Sequence, residues 1–318
     1  MFNIRFLNLP IQKKPVKIFL QGGVGNQLFQ YFFARYVVTK FKIQSILNTS
    51  LVDSTNLSHP NSNILSLNLL IPIEKSTTAR KMFYNLLVNY FLKINSHFNL
   101  KKSYLKVFIS SEIGYNVDFD DELLNHNHNY NYILGYFQSW KYFKLNSFEK
   151  NTIFNGFTYK DSWVLSNYKV MSSTKFTAVH IRLGDYKLDK NSFIGVLPPD
   201  YYINCINHLR ELDYSQKFYI FSDQINVAKN LYSGIFPKDS IWVNSSSDCN
   251  PLEILSIMSL ANVFIIANST FSWWAANLAA NDSLVLAPNK WFKNASDPID
   301  LLPPNWNLIE TGWSNFEK

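Results

Sequence analysis

Short apolar runs separated by helix-like stretches recur through the second half of the chain. These runs lie at residues 176–181, 217–221, 240–243, 262–267 and 283–287. Apolar runs that alternate with helical patterns are typical of a parallel sheet with helices on both faces. We therefore predict an α/β fold whose second half is a doubly wound parallel sheet.

The first half opens with a predicted strand, a glycine-rich turn and a helix. Residues 17–21 are predicted to form a short strand with an apolar centre, residues 22–27 read Gly-Gly-Val-Gly-Asn-Gln, and residues 28–42 carry apolar side chains at helical spacing. A dinucleotide-binding fingerprint would place a third glycine at Leu28 and an acidic residue about 20 positions later. The next predicted strand ends in Asn48 instead, so the sequence disfavours NAD binding.

The strand predicted at residues 176–181 delivers a charged cluster to its carboxyl end. Because side chains alternate along a strand, His180 and Arg182 should share one face, and Ile181 and Leu183 the opposite face. An arginine there suits a phosphate-bearing ligand, since its planar guanidinium holds two oxygens and stays charged at any working pH. The alternative is an ion pair between Arg182 and Asp185 at the strand end, and these residues alone favour neither interpretation.

A second polar turn, residues 268–272, follows the strand predicted at residues 262–267 and precedes Trp273 and Trp274. Hydroxyl residues at the start of a helix leave backbone amides available to an anion. The alternative is ordinary helix capping with the two tryptophans in the core. For Trp274 the core interpretation is favoured.

Five sequence blocks follow one another in a specific order. They are residues 22–31 (GGVGNQLFQY), 135–143 (GYFQSWKYF), 180–186 (HIRLGDY), 221–223 (FSD) and 268–274 (NSTFSWW). Each block alone is weakly specific, but the ordered set resembles the α-1,2-fucosyltransferase family, of glycosyltransferase family 11 type in its bacterial form. One departure is Leu183, where the family usually has a second arginine after Arg182; the resemblance implies that Arg182 suffices, with lower donor affinity.

The resemblance implies a GT-B-type enzyme, with two Rossmann-like domains that face each other across a cleft. It implies transfer of L-fucose from GDP-fucose to the 2-hydroxyl of a terminal β-galactose, with inversion and with neither a metal nor another cofactor. Synthesis of a surface polysaccharide, O-antigen or capsule, is the expected setting. We place the crossover near residue 160, with an acceptor-side domain at residues 1–160 and a GDP-fucose-binding domain at residues 161–318.

The resemblance and the residue chemistry together assign roles in the site. Arg182 should stabilise the charge that gathers on the diphosphate as the glycosidic bond breaks. Asp185 is the candidate base for the acceptor proton, and Asn26 is a candidate for assisting catalysis. As alternatives, Asp185 could be a solvated carboxylate at the strand end, and Asp223 a turn-forming residue. The expected donor-binding residues are His180, Arg182, Asp223, Ser269, Thr270 and Ser272, and the expected acceptor-side loop is Gly23, Gly25, Asn26 and Gln27.

Charge is divided unevenly between the two halves. Residues 1–160 hold 18 Lys and Arg against 8 Asp and Glu, whereas residues 161–318 hold 12 against 15. In the basic half, Arg80 and Lys81 precede an aromatic and aliphatic run at residues 82–92 that is too short to span a membrane. This predicts peripheral contact with an anionic inner-membrane surface, where a lipid-linked acceptor would be presented; the alternative is a buried helix with solvated lysines.

The remaining features favour a cytoplasmic enzyme. Cys205 and Cys249 match no metal or redox spacing, and the opening residues lack a secretory pattern. A net charge of +7 raises nucleic-acid binding as an alternative, but the lysines form no tract and no nucleic-acid module is recognisable. The other alternative is a metal-dependent GT-A-type enzyme using Asp118 and Asp120, which fit the first turn of a helix better.

Overall fold

In the described part of the chain, eleven strands form two parallel sheets flanked by helices. The structure is a computed structural model. It describes residues 15–52, 64–75, 107–109, 132–143, 152–187, 193–279 and 283–313, together with residues 77, 82, 83, 86 and 150.

The first sheet is built by the amino-terminal half. Ile18 pairs with Leu47 on one side and with Ile133 on the other, both in parallel register. Its strands are β1 (Val16–Phe19), β2 (Ser45–Asn48), β3 (Ile73–Glu74), β4 (Val107–Ile109) and β5 (Tyr132–Leu134), in the spatial order β3-β2-β1-β5-β4. Chain order reverses between β1 and β5, and such a reversal opens the crevice in which α/β sheets bind ligands.

The second sheet is built by the carboxyl-terminal half. Its strands are β6 (Phe176–Ile181), β7 (Lys217–Ser222), β8 (Ile241–Trp242), β9 (Val263–Ile265), β10 (Leu284–Pro288) and β11 (Asn307–Ile309), in the spatial order β11-β10-β9-β6-β7-β8. Every residue of β6 is buried, which its near-continuous apolar sequence predicts for a strand covered on both faces. The loops after β6 and β9 are neighbours and open towards the first sheet.

Six α-helices whose bounds lie within the described ranges flank these strands, and they differ in how the backbone amides of the first turn are hydrogen-bonded. They are α1 (Val24–Phe41), α2 (Ser162–Ser173), α3 (Pro199–Glu211), α4 (Ile225–Tyr232), α5 (Pro251–Met258) and α6 (Thr270–Leu278). Asp161 accepts a hydrogen bond from Val164 N at 3.0 Å, and Asn250 caps α5 in the same way. By contrast, α1 begins at Gly23 without a side-chain cap.

The two sheets share one apolar cluster, and α1 and α6 contact each other within it. The ring centroids of Phe29 and Trp273 lie 4.5 Å apart, and Phe32 stacks on Trp274 at 4.7 Å. Both tryptophans are fully buried, so the core interpretation of Trp274 is confirmed. The carboxyl-terminal segment also returns to the first half, because Trp140 N donates to Asp300 O at 2.8 Å.

The predicted α/β, GT-B-type arrangement is confirmed by two parallel sheets that face each other across a cleft. The GT-A alternative is therefore wrong in its fold. The strand predicted at residues 176–181 has those bounds in the structure, whereas β3, β4, β5 and β11 were not predicted. The domain crossover near residue 160 stays a prediction.

Several predictions concern residues that the structure does not describe. Of the run at residues 82–92, Met82, Phe83 and Leu86 are described, and all three are exposed. No helix in the described ranges is long and apolar enough to cross a membrane. The predictions that name Arg80, Lys81, Asp118 and Asp120 fall on residues outside the described ranges.

Candidate active site

A cavity of about 690 Å³ lies where the two sheets face each other. The first residues of α1, α4, α5 and α6 line it, so four helix N-termini bring partial positive charge to its walls. A cavity of this kind suits an anionic ligand. The structure brings the following predicted site residues together there: Gly23, Gly25, Asn26, His180, Arg182, Asp185, Asp223, Ser269 and Thr270.

Arg182 sits between two carboxylates on the wall formed by the second sheet. Its Nη2 lies 2.6 Å from Asp185 Oδ1, and its Nη1 lies 3.2 Å from Asp223 Oδ2. The guanidinium also lies over the ring of Tyr186, 5.4 Å from the centroid. Burial lowers the pKa of Arg182, whereas Asp223, Tyr186 and Asp185 raise it. The raising effects together are larger, so the pKa lies above its usual value. Arg182 is thus a permanent cation whose orientation is fixed.

Asp223 holds the loop after β6 against the end of β7. Its two carboxylate oxygens accept hydrogen bonds from Leu183 N at 3.0 Å and Gly184 N at 2.9 Å. A Cβ added to Gly184 would come within 2.3 Å of Asp223 Oδ2, which explains the glycine at that turn. Asp223 therefore anchors the backbone beside Arg182 as well as lining the cavity.

His180 lies beneath Arg182 on the same face of β6. Its side chain is 3% exposed, and its ring lies 5.6 Å from that of Phe271. The pKa of His180 is lowered to about 3, chiefly by burial and further by Arg182, although Asp223 acts in the opposite direction. The imidazole is therefore neutral at physiological pH, and its buried Nδ1 has no hydrogen-bond partner among the described residues.

The predicted alternation of side chains around residue 182 is confirmed. Ile181 and Leu183 lie fully buried in an apolar cluster, on the face of the sheet away from the cavity. Leu183, which replaces the family's usual second arginine, is thus a core residue in this chain. The lower donor affinity that the resemblance implies stays a prediction.

The turn between β9 and α6 contributes hydroxyls and amides unequally. Ser269 and Thr270 line the cavity, and Ser269 Oγ accepts a long hydrogen bond of 3.4 Å from Phe271 N. Ser272 is fully buried and does not line the cavity, because its hydroxyl bonds to the carbonyls of Ala267 and Ser269 at 3.3 and 3.2 Å. The structure gives no support for Ser272 as a donor-binding residue.

The glycine-rich turn between β1 and α1 faces that serine-rich turn directly. A Cβ on Gly25 would come within 2.5 Å of the Thr270 backbone, so this glycine permits the close approach of α1 and α6. Gln27 is fully buried and does not line the cavity. Its amide donates to Gly22 O at 2.8 Å and its oxygen accepts from Ile64 N at 3.2 Å, so it stabilises the turn instead of contacting a ligand.

Some cavity residues were missed by the sequence analysis. Tyr186 donates its hydroxyl to Asn268 O at 2.9 Å, and burial raises its pKa to about 12. Ser246, in the loop after β8, is held through its backbone N by Asp161 Oδ2 at 2.9 Å. Tyr186 could have been found from its place in the third sequence block, whereas no sequence motif marked the loop that contains Ser246. The missed lining residues include Tyr136, Gln138, Tyr186, Asn226, Ser245, Ser246, Ser247 and Asn268.

Known proteins resemble this chain over most of its length. The model of glycosyl transferase family 11 matches residues 15–310. An alpha-1,2-colitosyltransferase of Escherichia coli is 28% identical over 297 residues, which cover 92% of this chain and 97% of the relative. The O-antigen biosynthesis glycosyltransferase WbnK of Escherichia coli is 30% identical, covering 86% and 93%. The galactoside 2-alpha-L-fucosyltransferase SEC1 of Bos taurus is 27% identical over a shorter stretch, covering 41% and 37%.

Proposed function

Since the chain belongs to glycosyl transferase family 11 and is a glycosyltransferase, we propose that it transfers L-fucose from GDP-fucose to the 2-hydroxyl of a terminal β-galactose, with inversion and without a metal. The observation that carries this proposal is Arg182, a permanent cation at the wall of a cavity lined by four helix N-termini. The names of two relatives specify transfer to a 2-position, and a third relative acts in O-antigen biosynthesis.

The diphosphate of the donor is the ligand group that best matches this wall. Breaking the bond between the sugar and the phosphate leaves additional negative charge on GDP. A fixed guanidinium and the backbone amides at the helix N-termini interact more strongly with that charge than with the intact donor, which lowers the barrier.

Inversion requires the acceptor hydroxyl to attack the sugar carbon from the face opposite to the diphosphate. The bond from acceptor oxygen to sugar carbon forms while the bond from that carbon to the phosphate oxygen breaks, and GDP leaves with the electron pair. The acceptor proton passes to a base, and we assign this role to Asp185, which lines the cavity beside Arg182. Asp185 is paired with Arg182, so the diphosphate and Asp185 compete for the same cation.

GDP-colitose is a second candidate donor. It is favoured by the relative whose name is alpha-1,2-colitosyltransferase and which matches 92% of this chain. Both candidates place the same diphosphate against Arg182. They are distinguished by measuring kcat/KM for each donor with a common acceptor.

A lipid-linked acceptor at the inner membrane surface is part of this proposal. Its support is the excess of basic residues in the first half and the exposure of Met82, Phe83 and Leu86. Liposome flotation with and without anionic lipid tests it. Salt-sensitive binding to anionic vesicles is expected, and equal flotation with neutral vesicles would contradict it.

The test of the activity is release of GDP from GDP-fucose, with and without lactose or N-acetyllactosamine, in the presence of EDTA. We expect acceptor-stimulated release that falls by at least about 10²–10³-fold in Arg182→Ala. Arg210→Ala is the matched control, because Arg210 is exposed on α3 away from the cavity. Absence of release with every galactoside and with folded protein would exclude this donor and acceptor, and loss of activity in EDTA would exclude the metal-independent mechanism.

A further inference from the structure

Asn26 is held in the cavity by a glutamine from the other side of the crevice. Gln138, in the loop after β5, donates from Nε2 to Asn26 Oδ1 at 2.9 Å. Both side chains line the cavity, and Gln138 is 6% exposed. This hydrogen bond joins the two loops that flank the reversal of strand order in the first sheet.

The backbone just before Gln138 adopts an unfavourable conformation. Phe137 has φ 53°, a left-handed conformation that a bulky residue rarely adopts. Its ring is buried and stacks on Phe33, with centroids 3.8 Å apart and an interplanar angle of 7°. Strained residues that packing holds in place concentrate at functional sites. Here the strained residue directly precedes the side chain that reaches Asn26.

Asn26 is confined on its other side by Gly22. A Cβ added to Gly22 would lie 2.7 Å from Asn26 Nδ2, so the amide packs directly over the glycine backbone. Because Gln138 occupies Oδ1, the orientation leaves the Nδ2 hydrogens as the groups that Asn26 offers to other partners. An amide in this orientation is a hydrogen-bond donor to an oxygen of a bound substrate.

The loop after β5 has a second support that does not involve Gln138. Gln30 donates to Gly135 O at 3.0 Å and accepts from Gln21 N at 2.8 Å, which ties α1, the end of β1 and this loop together. Loss of the Gln138 amide should therefore leave the loop in place. Its effect should fall on Asn26.

We infer that Gln138 is a positioning residue, which fixes Asn26 with its amide nitrogen directed as a donor to an oxygen of the bound substrates. This inference rests on the proposed transfer reaction. It distinguishes Gln138 from a residue that only stabilises the loop, since a positioning residue acts on turnover through one other side chain.

A double-mutant cycle of Gln138→Met and Asn26→Ala tests the inference. We expect Gln138→Met to lower kcat by about tenfold to 100-fold, with little change in KM for the donor. Asn26→Ala should lower kcat by about 10²-fold or more, and the double variant should be no worse than Asn26→Ala alone. Gln44→Met, at an exposed position, is the matched control and should retain native kcat.

A reversed polarity gives a second test with a different variant. Gln138→Glu keeps the length of the side chain but only accepts hydrogen bonds, so it should turn the Asn26 amide around. We expect a kcat at least as low as that of Gln138→Met, and no further loss when Asn26 is already alanine. This variant also replaces Gln138→Met in the cycle if the latter does not fold.

Effects on kcat that multiply in the double variant would overturn the inference, as would a Gln138→Met variant with native kcat. If the native chain transfers neither fucose nor colitose, the proposed function fails and the positioning contact is tested without activity. In that case the side-chain amide ¹⁵N–¹H resonances of Asn26 should shift in Gln138→Met and not in Gln44→Met. Unchanged Asn26 resonances would overturn the inference independently of the reaction.

Discussion

The two walls of the cavity differ in chemistry although they belong to similar sheets. The first-sheet wall, formed by the loops after β1 and β5, presents glycines, Tyr136 and the amides of Asn26 and Gln138. The wall formed by the second sheet presents Arg182, Asp185 and Asp223, the charged side chains among the described lining residues. Neutral amides suit the hydroxyls of a sugar, whereas charged groups suit a diphosphate and a proton transfer.

This division runs against the distribution of charge in the sequence. The first half carries 18 basic against 8 acidic residues, yet its described cavity wall carries no ionised side chain. The second half is slightly acidic overall and supplies the cation. The total charge of each half therefore does not locate the site, which has to be found from strand ends and turns.

Removing the carboxylate of Asp185 should have the largest effect on activity among changes that reduce the difference in charge between the two walls. In Asp185→Asn we expect kcat to fall by about 10²–10⁴-fold because the base is lost. GDP should nevertheless bind more tightly, since the diphosphate no longer competes with a carboxylate that lies 2.6 Å from Arg182. Turnover is measured by GDP release and affinity by titration calorimetry.

Asp223→Asn is the matched control for this prediction. It makes the same change of charge beside Arg182, but Asp223 also accepts hydrogen bonds from Leu183 N and Gly184 N. We expect weaker GDP binding and a lower Tm, because the loop that carries Arg182 loses its anchor. If both variants bind GDP more tightly, the competition between Asp185 and the diphosphate is not specific to Asp185.

Gly25→Ala tests the place where the two walls touch. The added Cβ would meet the backbone of Thr270 at 2.5 Å and that of Phe271 at 2.7 Å, so the two turns must move apart. We expect a loss of about 1–3 kcal/mol in the free energy of unfolding, together with lower activity. Gly234→Ala is the control, because no atom lies within 4 Å of its added Cβ. Equal stabilities in urea unfolding would contradict the close contact.

The pH dependence of stability sharpens the contrast, because acid would add a charge to the second wall at His180. Its pKa is lowered to about 3 in the folded chain, from an ordinary value of 6.5. Between these values the unfolded chain binds the proton and the folded chain does not, so stability falls as pH falls below 6.5. The slope is at most about 1.4 kcal/mol per pH unit, the value for one proton. Urea unfolding from pH 7 to pH 4 should show a smaller slope in His180→Gln.

Long apolar runs and paired polar positions made part of this structure predictable. The run at residues 176–181 fixed a buried strand, and its alternation placed His180 and Arg182 on the cavity face. The same reasoning placed Ile181 and Leu183 on the opposite face, which the structure shows to be buried in an apolar cluster. These predictions are correct because they depend only on the local sequence pattern. A strand that is buried on both faces has an especially clear apolar pattern.

Features that depend on tertiary contacts were not predictable from local sequence. Strand β5 has three residues and is defined by its pairing with β1, not by a pattern of its own. Ser272 and Gln27 belong to the two sequence blocks that form the cavity turns, but their side chains hydrogen-bond to backbone carbonyls of those turns and do not face the cavity. Gln138 was visible within the second block, yet its role depends on a hydrogen bond across 112 residues of chain.

The aromatic contact between α1 and α6 sets an order for folding during synthesis. Phe29 and Phe32 are made early, but their partners Trp273 and Trp274 are made near the end of the chain. The amino-terminal half therefore leaves the ribosome with an uncovered apolar helix face, which is a risk for aggregation. We expect fragments that end before residue 273 to require a chaperone to stay dispersed, and the two halves to become stable together in one late step.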